Sequence, residues 1–88
     1  MAAHDRWHIY IVRCRDGTLY TGIAKNVRKR LEEHNSREGG ARYTRSRQPV
    51  KLVYSEPWQS KPEALKRECA IKKLPREKKK QLINGTIS

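Results

Sequence analysis

Two short runs rich in β-branched and aromatic residues, Trp7 to Val12 and Thr18 to Ile23, flank the tripeptide Arg15-Asp16-Gly17. An Asp-Gly pair between such runs is among the strongest local signals for a β-hairpin. The length of the turn then decides everything that follows. In a three-residue loop with Gly17 in the left-handed conformation, Cys14 faces Thr18, Val12 faces Tyr20 and Tyr10 faces Gly22. Both tyrosines then emerge on one face of the sheet as diagonal neighbours. A two-residue Asp16-Gly17 loop would slip the register by one and send them to opposite faces. Gly22, having no side chain, would leave open space beside Tyr10, which suits the close approach of a ligand.

A helix follows. Asn26 is a good N-cap, and Val27, Arg30, Leu31 and His34 recur at i, i+3, i+4 and i+7, so they share one face. The helix is predicted over Val27 to Arg37, with Gly39-Gly40 as its stop. Burial of Val27 and Leu31 draws Arg30 and His34 toward the sheet. There Arg30 either meets a carboxylate, a carbonyl or a phosphate, or lies across the apolar stripe with its head in water.

The next segment, Ala41 to Pro49 (ARYTRSRQP), sets Arg42, Arg45 and Arg47 around Tyr43, a mixture suited to phosphate contact and to stacking on a base. It serves equally as a solvated connector. Val50 to Ser55 alternates and is β-rich, which predicts a third strand broken by Pro57-Trp58, with Trp58 on the core. Ser60 with Glu63 forms a capping box, and Pro62 is tolerated in the first turn of a helix reaching about Leu74. Ala64, Leu65 and Ile71 form its apolar stripe, and Glu68 falls near the middle. A carboxylate there needs a cation, either Arg30 or a divalent metal. Pro75 ends the helix, and Arg76 to Ile83 predicts a short basic helix with Leu82 and Ile83 tucked inward.

These elements predict an α+β fold: a small three-stranded antiparallel sheet flanked by helices, in the order β-β-α-β-α-α. Eighty-eight residues make one domain, expected over residues 7–83 between flexible ends at 1–6 and 84–88. With 21 Lys+Arg against 9 Asp+Glu, the formal charge of +12 points to a polyanionic partner. Nucleic acid leads, ahead of an anionic membrane surface. No apolar run approaches the ~20 residues that span a bilayer, so a cytoplasmic chain with no membrane partner is expected. Cys14 and Cys69 stand far apart without a C-x-x-C or clustered His, which argues against zinc and for reduced thiols.

Tyr10 in His8-Ile9-Tyr10, the triplet Tyr20-Thr21-Gly22, then Arg30, His34 and Glu68 within Glu68-Cys69-Ala70-Ile71-Lys72 resemble the signature of the GIY-YIG endonuclease superfamily, across roughly Trp7 to Leu74. The small size resembles its stand-alone bacterial members. His8 stands where the name-giving glycine would be, and Thr21 replaces the isoleucine of the second triplet; the first departure bears on substrate fit. The resemblance implies a GIY-YIG-like fold and metal-dependent hydrolysis of phosphodiester bonds, with DNA ahead of RNA. It implies a catalytic set of Tyr10, Tyr20, Arg30, His34 and Glu68, and one Mg2+ or Mn2+ ion held by Glu68. Tyr10 would be the general base, with Tyr20 orienting water or phosphate, and His34 is an alternative proton carrier. Arg42, Tyr43, Arg45, Arg47, Lys72, Lys73, Lys78, Lys79 and Lys80 are the expected nucleic-acid contacts. A non-catalytic module binding DNA or structured RNA would show the same charge but leave Glu68 unexplained, and an interaction domain serving a larger nuclease is a third possibility.

Overall fold

The structure is a computed structural model that describes residues 6–36 and 41–85. The hairpin forms as the three-residue turn requires. β1 (Trp7–Arg13) pairs antiparallel with β2 (Leu19–Ala24), with Tyr10 opposite Gly22 and Val12 opposite Tyr20. Gly17 takes φ +86°, where a side chain would be strained. The Asp16 carboxylate accepts from the Thr18 amide and hydroxyl at 3.1 and 2.6 Å, which closes the turn.

β3 (Lys51–Trp58) pairs with the other edge of β1, giving the order β2-β1-β3. It runs three residues past the predicted end at Ser55, straight through Pro57. The reason is position: β3 is an edge strand, where a proline can stand with no neighbour on its outer side. A register shift between Ile11 and Val12 brings Tyr54 opposite Ile11 but Leu52 opposite Val12. The extra residue of such a bulge lets Val53 and Tyr54 both pack on one side.

α1 (Val27–His34) starts at Asn26, whose side chain accepts from the Lys29 amide at 3.0 Å, and closes at Asn35. The predicted stop at Gly39-Gly40, and Arg37 before it, lie outside the described residues. A single helical turn, α2 (Arg42–Arg45), forms within the segment expected to be irregular. α3 (Lys61–Lys72) begins on the predicted capping box: Ser60 Oγ accepts from the Glu63 amide and donates to its carboxylate. It ends at Lys72, two residues short of Leu74. Its buried positions are Ala64 and Ile71; Leu65, expected inside, is 44% exposed on the outer flank. α4 (Arg76–Ile83) docks through Leu82 and Ile83.

The two faces of β1 therefore enter different environments. Ile9 and Ile11 join Ala64, Ile71 and Leu82 in an apolar cluster under α3 and α4. Tyr10, Val12 and Cys14 join Val50, with Tyr20, Val27 and Leu31 packed alongside. At the margin of the first cluster Glu56 accepts from Tyr54 Oη, Trp58 Nε1 at 2.6 Å and Arg67 Nε at 2.9 Å, tying α3 to β3. Burial works to raise the Glu56 carboxyl, but hydrogen bonds from Arg67, Tyr54 and Trp58 outweigh it and hold the group below the usual carboxylate range. Among the described residues no helix is long and apolar enough to cross a membrane.

Candidate functional site

The three-residue turn puts Tyr10 and Tyr20 on the same face, and α1 lays His34 between them. Tyr10 Oη and His34 Nε2 are 2.8 Å apart. The His34 ring centroid lies 5.7 Å from that of Tyr10 and 5.4 Å from that of Tyr20. His34 is fully buried and Tyr10 nearly so. The space expected beside Gly22 is occupied by the Tyr10 ring itself. A Cβ at Gly22 would lie 2.5 Å from Tyr10 Oη, so the absence of a side chain is what lets the phenol lie across β2.

Burial dominates the Tyr10 hydroxyl and pushes its pKa up to about 12, against the opposing pull of the nearby Arg30 guanidinium. The negative charge of Glu68 also reaches it, so the carboxylate on α3 and the phenol on β1 share one electrostatic neighbourhood. His34 is held below its ordinary pKa, first by burial and then by Arg30. Both groups are therefore neutral at physiological pH in the unbound protein.

Arg30 and Glu68 do not pair with each other. Arg30 Nη1 donates to Glu33 Oε1 at 2.7 Å, and Lys72 Nζ donates to Glu68 Oε2 at 3.2 Å. The partners Glu33 and Lys72 are 41% and 52% exposed, so water screens both contacts and an incoming ligand displaces them at little cost. Glu68 itself is only 16% exposed.

The Ala41 to Pro49 segment closes around these rings. Tyr43 stacks on Tyr20 with centroids 5.8 Å apart, and the Arg47 guanidinium covers the Tyr43 ring at 3.9 Å. Arg47 also donates to Asp16 Oδ2 at 3.1 Å and to the Tyr43 carbonyl at 2.8 Å. Tyr43 and Arg47, expected to offer an open ring and a free cation to nucleic acid, are engaged with Tyr20 and the hairpin turn. Arg42 and Arg45 of the same segment are exposed. Lys72 and Lys73 lie exposed at the end of α3; Lys78, Lys79 and Lys80 ride on α4, which packs on the opposite side of the sheet from the tyrosines.

Three contributors carried no sequence signal. Thr44 Oγ1 lies 2.8 Å from His34 Nδ1, and Thr44 is fully buried. The Asn35 amide clasps Val50, donating to its carbonyl and accepting from its N–H at 3.1 and 2.7 Å. Gln48 Nε2 donates to the His34 carbonyl at 2.7 Å. Each partner is 10 to 15 residues away, beyond the reach of helical or strand period.

Two hollows flank α1. One of about 510 Å3 is lined mainly by apolar groups with His8, Arg28 and Ser55 and holds none of the tyrosines. The other, about 290 Å3, is lined by Arg30 with Lys25, Lys29 and Glu33 and likewise holds none of the tyrosines. The two share Lys25 and Asn26. Among the described residues no three His, Cys, Asp or Glu converge on a metal position.

Residues 6–81 match the family described as the GIY-YIG catalytic domain. Among similar chains, a UPF0213 protein of Desulfotalea psychrophila is 55% identical over 91% of this chain and 73% of its own length. A UPF0213 protein of Staphylococcus saprophyticus is 54% identical over 91% of this chain and 96% of its own. The solution NMR structure of a UPF0213 protein from Bacillus halodurans aligns with a TM-score of 0.58 at 42% identity, covering 90% of this chain and 83% of that one. An E. faecalis protein, also solved by NMR, gives 0.64 at 38% identity over 92% and 85%.

Proposed function

Since the chain belongs to the GIY-YIG family, whose domains are of the nuclease type, we propose that it is a metal-dependent endonuclease hydrolysing phosphodiester bonds in nucleic acid, with DNA ahead of RNA. One observation carries this reading: two phenols and an imidazole are locked in contact on one face, with Arg30 and Glu68 within electrostatic reach of Tyr10.

Glu68 suits a single hard divalent ion. It is one half-enclosed carboxylate with a displaceable partner, the donor set expected when waters and substrate phosphate complete the shell of Mg2+ or Mn2+. Such an ion would supply positive charge where the phosphate develops negative charge. The chain's own residues do the rest. Arg30, released from Glu33, neutralises the phosphoryl oxygens. Tyr10 takes a proton from the attacking water once its own has left, and the added positive charge of a loaded site lowers its pKa toward the working range. Tyr20 orients water or phosphate beside it. Surface arginines and lysines, Arg42, Arg45, Lys25 and Lys29 among them, hold the backbone by charge, which makes binding salt-sensitive. A cytoplasmic location accompanies this reading.

A nicking assay with Mg2+ on duplex, single-stranded and branched substrates tests it, comparing wild type with Glu68→Ala and Arg30→Ala. Both variants should stay folded and bind with the same salt dependence to within one contact, while cleavage falls by about 10²–10³-fold. Equal turnover by Glu68→Ala removes the metal. Salt-sensitive binding with no cleavage of any substrate by wild type moves the protein to the non-catalytic binding class, which the local pairing of Arg30 with Glu33 and of Glu68 with Lys72 would then explain.

A further inference from the structure

We infer that the larger hollow beside α1 receives an unpaired nucleobase of the bound strand, a placement that rests on the nucleic-acid reading above and names the substrate class as distorted or single-stranded. At about 510 Å3 the hollow falls in the range that encloses a small ligand. Its position follows from strand alternation. Ser55 pairs with Tyr10 and Leu52 with Val12, so both emerge with His8 on the tyrosine face of the sheet, where Val27 and Leu31 of α1 supply the facing wall.

The lining suits a nucleotide better than an uncharged apolar guest. Leu52 is 41% exposed, an aliphatic side chain left in water beside Val27 and Leu31. Covering it with the flat face of a heterocycle removes apolar surface from water on both partners. The rim is cationic: Lys25 and Arg28 are exposed, neither is ion-paired among the described residues, and no acidic residue lines the hollow. A nucleotide brings a phosphate with each base, which such cations attract. His8 adds a polar contact, at the position where the family signature has glycine. Its buried Nδ1 has no hydrogen-bond partner among the described residues, so turning the ring toward the polar edge of a base breaks no hydrogen bond at that atom and supplies a missing one.

The start of α1 sets the path of the strand. The hollow shares Lys25 and Asn26 with the smaller one lined by Arg30, so the two meet there. A strand whose phosphate lies at Arg30 reaches the larger hollow by passing over Asn26, beside the Lys25 ammonium. The helix between them is about 10–12 Å across, so the inserted base belongs to a neighbouring nucleotide. In a regular duplex that base is stacked and paired. Extracting it costs free energy, least for a mismatched, bulged or single-stranded base, and the preference for such substrates follows.

Binding measured without metal separates this inference from cleavage. In EDTA, fluorescence anisotropy compares a labelled duplex carrying a bulged thymine with the same duplex carrying an abasic site in the bulge. Wild type should favour the bulged base by about tenfold. Leu52→Gln, which alters an exposed side chain, and Ser55→Tyr, which fills the hollow from the edge strand, should each cut that preference to about twofold or less and leave affinity for the abasic duplex unchanged. No preference in wild type, or a preference that both variants keep, overturns the inference. So does a dimer in analytical ultracentrifugation that Leu52→Gln dissociates, which gives the hollow to a second copy. The two readings fail separately: cleavage in Mg2+ without base preference keeps the nuclease and removes the base site, and base preference without cleavage keeps the base site in a non-catalytic module.

Discussion

The two faces of β1 are built on opposite rules. On one side Ile9 and Ile11 meet Ala64, Ile71 and Leu82, all buried and apolar, and the contact is non-directional. On the other side the buried groups include Tyr10, His34 and Thr44, and their arrangement is set by hydrogen bonds with defined donors and acceptors. A chain this small has only a modest apolar core with which to hold itself together. Alternation along β1 puts the apolar cluster on one face and Tyr10 with His34 on the other, while Glu68 comes from α3, which packs on the apolar face. A polar group on the apolar face is Thr21, whose buried hydroxyl has no partner among the described residues.

The separation can be challenged directly. The largest effect should come from Tyr10→Phe, which removes only a hydroxyl: cleavage should drop by about 10²–10⁴-fold, while unfolding free energy falls by no more than the about 1–3 kcal/mol that an unpartnered His34 Nε2 costs. A cleavage rate near wild type would show that the polar face is not the working one. Ile71→Ala should do the reverse, lowering unfolding free energy by about 2–5 kcal/mol in a denaturant titration. Cleavage per folded molecule, measured at low denaturant, should be retained. Thr21→Val should raise stability by about 1 kcal/mol by retiring the unmatched hydroxyl, with turnover unchanged; a loss of turnover would mean that the apolar face does reach the chemistry.

The smallest effect is the pH dependence of stability. The folded His34 has a pKa below its unfolded value, so the unfolded chain binds the extra proton and stability declines as pH falls below about 6.5. Glu56, also depressed, adds a second decline at lower pH as its carboxylate is protonated in the unfolded chain first. Urea midpoints measured against pH should lose the upper limb in His34→Gln and keep the lower one.

How much of this could be read from the residues follows the same division. Asp16-Gly17 announced the hairpin but allowed two registers, which the Tyr10–Gly22 pairing decides, and the Ser60-Glu63 box marked the start of α3 to the residue. A local signal sufficed for the second. Pro57 misled, because a proline stops a strand only where the missing N–H is needed, and edge position is a property of the sheet. Leu65 misled because the α3 stripe is centred on Ala64 and Ile71, and two buried positions leave the wheel underdetermined. Tyr43 and Arg47 have the composition for gripping nucleic acid and are found in contact with Tyr20 and Asp16, a placement set by a ring 23 residues upstream that the local sequence does not announce. Thr44 was invisible for a similar reason: a lone threonine in a polar segment says nothing until His34 is beside it.

That Tyr43 backs Tyr20 while Ala41 and Thr44 hold His34 means one short stretch of chain grips two members of the site at once. Its opening would release both rings together, so the assembled and disarmed forms should interchange as a unit, with no half-built intermediate. Arg47 bridges this stretch to Asp16 in the hairpin turn through an exposed ion pair, so what holds the unit shut is the buried contact of Thr44 with His34 more than that bridge.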